Sequence, residues 1–95
     1  MLKFMSNTEY VISTKRTHNH HKIQEWVESR GGTPSVAESS WDGHSGVLQI
    51  DFGESEEALA ELSWDDFFRI FEENDLDFLY QEESESRFWK CVSRE

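Results

Sequence analysis

Trp64, Phe67, Phe68 and Phe71 fall at i, i+3, i+4 and i+7, so a helix between Ser63 and Asn74 carries four aromatic rings on one face. Ser63 with Asp66 three residues on is a capping-box-like start, and Asp65 and Asp66 suit the positive end of the helix dipole. Asn74 offers a stop, because Asn tolerates the left-handed position after a helix. Rings of this kind each bury about 150–250 Å². The rest of the chain must therefore build an apolar layer wide enough to cover them. Ninety-five residues suffice for one such core and exclude two domains or a large enzyme.

A second helix is read over residues 20–30, with Thr17 or Asn19 as its cap. Ile23, Trp26, Val27 and Arg30 repeat the same spacing, and the stem of Arg30 closes the apolar face. Gly31 and Gly32 end this helix and Pro34 blocks its continuation. Residues 47–52 alternate cleanly, with Leu48, Ile50 and Phe52 on one side, and predict a strand. Further strands are expected at 33–38, around Phe78, Leu79 and Tyr80, and over 87–92, the last two joined by a turn at 82–86. Residues 39–46 read as a loop, 53–57 as an acidic connector and 58–62 as a short apolar approach to the aromatic helix.

The expected order is therefore α-β-β-α-β-β. Short connections imply antiparallel pairing, giving an α+β fold with a small antiparallel sheet of about four strands and both helices on one face. Residues 1–16 lack a clear period and read as an N-terminal arm, either loose or a short extra strand at Tyr10, Val11 and Ile12. The single domain then spans 17–95.

Charge divides the chain. Residues 1–37 hold five basic and three acidic groups, whereas 38–95 hold four basic and seventeen acidic ones, for a net charge of −11 overall. Such a surface repels phosphate backbones, so direct nucleic-acid binding is not expected. It attracts basic proteins instead, or simply keeps an aromatic-rich chain soluble. No apolar run is long enough for a membrane span, and residues 1–12 lack the unbroken apolar stretch of a secretion signal. The lone Cys91 allows no internal disulfide. A cytoplasmic protein is the expectation.

Beyond single elements, the chain carries an ordered pattern. It runs through Ile23, Trp26 and Arg30-Gly31-Gly32-x-Pro34, then Gly46-Val47-Leu48-x-Ile50-Asp51-Phe52 and Leu62-Ser63-Trp64-Asp65-x-Phe67-Phe68. It continues with Phe71-Glu72-Glu73, Leu76-x-Phe78-Leu79-Tyr80-Gln81 and Ser86-Arg87-Phe88-x-Lys90. From about His18 onward this resembles a family of small bacterial proteins, departing from it at Trp89 and Cys91. The resemblance implies no activity. Some members of that family carry a glucan-branching-enzyme label, which these residues do not support, since so short a chain cannot build such a fold.

Candidate sites are few. His18, His20 and His21 cluster before the first helix and could gather a metal, although the spacing matches no zinc signature. Carboxylates are too numerous for any pair to stand out as acid and base. Cys91, in a strand, reads as an inert thiol. Trp41 lies in a polar loop, and Trp89, opposite in facing to Phe88, is expected on the sheet face that the helices leave open, with Val47 and Tyr80. Aromatics beside the acidic Glu82, Glu83 and Glu85 make a protein-binding patch. The expected function is thus a non-catalytic module without a cofactor that binds a protein, a basic one or one whose nucleic-acid site it mimics. The N-terminal arm, or a second copy of the chain in a homodimer, is the other means of covering the open face. The alternative is a metal- or small-molecule-binding module using His18, His20 and His21.

Overall fold

The computed structural model describes residues 13–94. In chain order these form β1 (Thr14–Thr17), α1 (His20–Ser29), β2 (Thr33–Ala37), a single 3₁₀ turn (Glu38–Ser40), β3 (Leu48–Asp51), β4 (Leu59–Glu61), α2 (Trp64–Glu73), β5 (Leu76–Gln81) and β6 (Trp89–Ser93). The fold is α+β, with every strand pairing antiparallel. Instead of one sheet of four strands, the described residues form two of three, ordered β1-β5-β6 and β3-β2-β4. The strand read at Tyr10, Val11 and Ile12 lies outside the described residues.

Two short strands account for the difference. β1 uses Thr14, Lys15 and Arg16, which the sequence assigns to the arm, and pairs with β5 from Thr14 opposite Gln81 to Thr17 opposite Phe78. β4 is the apolar approach to α2, with Ala60 opposite Val36. Pro34 sits in the central strand β2 without an N–H to offer. Its carbonyl accepts from Leu62 at 2.9 Å, one residue past the end of β4, so no pair inside β4 is lost.

Both helices end as their sequences dictate. Asn19 Oδ1 accepts from Lys22 N–H at 2.9 Å and Ser63 Oγ from Asp66 N–H at 3.0 Å, each satisfying an otherwise orphaned donor of the first turn. Gly31 N–H bonds Glu28 C=O and Gly32 N–H bonds Val27 C=O, both near 3 Å, with Gly31 at φ 75°, which is the paired Schellman ending. A Cβ on Gly32 would meet Ile50 and Phe52 at 2.8 Å, so this position also needs glycine for space. At the end of α2 the expectation shifts by one residue. Asn74 is the C-cap, its Nδ2 donating to Ile70 C=O, and Asp75 takes the left-handed conformation at φ 50°.

The core lies between helices and sheets. Phe67, Phe71 and Phe78 are fully enclosed, together with Ile23, Val27, Val36 and Ile70. α2 packs against strands of both sheets and so holds the two halves to one core. His20 stacks on Phe68 at 4.1 Å and 3°, extending the aromatic layer to the surface.

Candidate functional site

Strand register settles which aromatics face outward. Tyr80 stands opposite Trp89 and Phe78 opposite Cys91, so all four turn toward the core. Trp89 is half-buried and stacks on Phe78 at 6.2 Å and 8°, and Tyr80 is buried. The expectation that Trp89 and Tyr80 occupy the open face is therefore corrected. Alternation rightly set Phe88 and Trp89 on opposite faces but assigned them in reverse, and Phe88, 44% exposed, is the outward one. Trp41 is likewise half-buried against the core at the end of the 3₁₀ turn, whereas Val47 is exposed.

Glu82, Glu83 and Glu85 form the β5–β6 loop, and one guanidinium holds that loop's backbone. Arg30 Nε donates to Ser86 C=O at 2.7 Å, and Nη2 donates to Glu83 C=O at 2.8 Å and to Glu82 C=O at 3.1 Å. Nη1 reaches back to Trp26 C=O and Ser29 Oγ, and the guanidinium lies 4.3 Å from the centre of a Trp26 ring. Trp26 Nε1 itself donates to Gln81 C=O at 2.7 Å. Burial pulls the Arg30 pKa below its ordinary value, with the Glu83 charge opposing. Within the loop, Ser86 Oγ donates to Gln81 Oε1 and accepts from Phe88 N–H. All three carboxylates remain exposed. Of the three, only Glu82 lies within ion-pair distance of a cation among the described residues, Lys15 Nζ at 4.0 Å.

The histidines go elsewhere. Asp77, 6% exposed, takes Arg16 Nε at 2.8 Å, His18 Nδ1 at 3.1 Å and Arg94 Nε at 3.2 Å. Burial pushes its pKa up, but the hydrogen bonds and charges of Arg16 and His18 outweigh that and leave it below the ordinary carboxylate value. His20 Nε2 lies 2.7 Å from Glu72 Oε2, which Arg94 also binds. Bonds from Arg94 and His20 hold Glu72 low, and the Glu72 bond raises Arg94. His18 and His20 thus serve two different carboxylates and His21 joins neither. Among the described residues no three His, Cys, Asp or Glu side chains are placed to hold a metal ion.

Two groups complete the chemistry. Burial drives the Cys91 thiol up to about 12, which favours its neutral form. The Asp42 carboxylate is held low by backbone N–H groups of Ser45 and His44, an Asx turn that shapes its own loop. No helix among the described residues is long and apolar enough to cross a membrane. Comparison of the chain with family models, with curated proteins and with solved structures gives no match.

Proposed function

We propose that this protein is a non-catalytic module that binds a basic partner protein through the loop carrying Glu82, Glu83 and Glu85. The observation that carries this reading is the Arg30 clamp. An acidic loop that only aided solubility would need no fixed backbone, yet here Ser86, Glu83 and Glu82 carbonyls converge on one side chain of a distant helix. A loop ordered before binding loses less entropy on association. Exposed Phe88, at the end of the same loop, adds apolar contact in the place expected for Trp89. A protein that ordinarily grips phosphate backbones presents the complementary surface, which makes nucleic-acid charge mimicry the specific form of this reading.

The test is titration of the protein with an octalysine peptide between about 50 and 200 mM salt, a range over which screening shortens appreciably. Binding that weakens steeply with salt, and weakens further in the E82Q/E83Q/E85Q variant, supports the reading. Binding that ignores both salt and the substitutions contradicts it.

A further inference from the structure

The chain has four histidines, and their ring nitrogens are committed differently. His20 Nε2 lies 2.7 Å from Glu72 Oε2, and its ring lies flat on Phe68. His44 Nε2 lies 3.5 Å from Arg69 Nη1 and 3.7 Å from Glu73 Oε1. His21 is exposed and joins neither the Asp77 nor the Glu72 pair. In His18 it is the inner nitrogen, Nδ1, that meets a carboxylate, Asp77 Oδ1 at 3.1 Å. Despite its burial, Asp77 is ionised at neutral pH through its bonds, that of Arg16 first. An ionised carboxylate only accepts hydrogen bonds, so the His18 proton sits on Nδ1 and the neutral ring carries its lone pair on Nε2. Nε2 has no hydrogen-bond partner among the described residues, and 62% of the His18 side chain is exposed.

One nitrogen held by a buried carboxylate and the other open to a reactant is the arrangement that makes an imidazole a nucleophile. The carboxylate fixes the tautomer and balances the positive charge the ring gains when Nε2 forms a bond. His18 also borders a cleft of about 420 Å³ that Arg16, Thr17, Asn19 and Asp77 complete. Arg16 Nε and Nη2 are spent on Asp77 and on Ser93 C=O, which leaves Nη1 without a hydrogen-bond partner among the described residues. A guanidinium beside a ring nucleophile suits a phosphoryl group, whose charged oxygens accept from it. A neutral acyl group would make no use of that charge.

We infer that His18 accepts a phosphoryl group at Nε2 from a donor of the phosphoramidate class, with Arg16 holding the phosphoryl oxygens and Asp77 positioning the ring. The Nε2 lone pair forms the new N–P bond while the N–P bond of the donor breaks. The donor nitrogen leaves as an amine, ammonia for phosphoramidate itself, with the protons it already carries. The ring keeps its Nδ1 proton and becomes an imidazolium facing Asp77. His18 is thus a site of modification, independent of the acidic loop and its partner.

The probe is potassium phosphoramidate, incubated with the full chain at neutral pH. Peptide mass spectrometry locates the label, and phosphorus NMR tells Nε2 from Nδ1 phosphohistidine. His18 is expected to be labelled about tenfold faster than His21, and at Nε2. Asp77→Asn, its fold checked by circular dichroism, should slow His18 about tenfold and leave His21 unchanged. His18→Gln should abolish the fast label and leave the slow one. Equal rates at His18 and His21 in the parent protein overturn the inference, and that comparison decides the matter even if Asp77→Asn does not fold. Label at His18 Nδ1, or a His18 rate that a folded Asp77→Asn leaves unchanged, overturns it as well.

Discussion

Two charged regions of this molecule use their ions in opposite ways. Around Asp77 and Glu72, the cations Arg16 and Arg94 and the rings of His18 and His20 are matched to carboxylates, tying β1 and the end of β6 to α2 and β5. At the β5–β6 loop Arg30 instead binds backbone carbonyls and leaves the Glu82, Glu83 and Glu85 carboxylates exposed. The first arrangement neutralises charge to hold the fold together. The second fixes the chain so that charge stays available. Sequence composition counts both regions as acidic surface, and only their partners separate fold from function.

The sharpest way to break this contrast is to remove the clamp. Arg30→Ala loses several charge-assisted hydrogen bonds and the cover over Trp26, and is expected to cost about 3 kcal/mol, read from urea unfolding. Faster amide exchange confined to residues 82–86 should accompany it, and an unchanged loop would show that Arg30 does not order it. Asp77→Ala leaves Arg16, His18 and Arg94 without their shared anion. Because Arg16 and His18 remain half or more exposed, the expected loss is about 2 kcal/mol rather than the full cost of breaking a buried pair.

Acid separates the regions without mutation. Asp77 and Glu72 both lie below their ordinary pKa in the folded chain, so their contribution is complete above about pH 5 and is lost as the pH falls through and below about 4. Thermal unfolding from pH 7 to 3 should show this decline in the parent protein and a shallower one in Asp77→Ala. Equal slopes would remove Asp77 from the account. The smallest effect is expected at the end of α2, where Asp75→Gly relieves the left-handed backbone and should raise stability by up to about 1 kcal/mol.

How much of this the sequence discloses follows from the range of the interactions. α1 and α2 are legible because their apolar period, caps and stops are local. β4 is not, because three residues are too few for a period, and its apolar character reads equally well as a lead into α2. The division into two sheets depends on β3 and β6 failing to pair, which no local pattern encodes. Alternation placed Phe88 and Trp89 on opposite faces, but only the pairing of β6 with β5 decides that Trp89 turns inward. The stem of Arg30 does close the apolar face over Trp26, as its spacing predicts. Its carbonyl partners in the β5–β6 loop lie more than fifty residues away and become visible only in the fold.

The most direct test sets the two regions against each other in one titration. Affinity for octalysine is measured against salt for the parent protein, for E82Q/E83Q/E85Q and for Glu72→Gln. The loop variant is expected to bind about tenfold more weakly at low salt with a flatter salt dependence, while Glu72→Gln binds as the parent does. Equal losses in both variants would mean that net charge alone attracts the peptide, and that the clamped loop has no special part in binding.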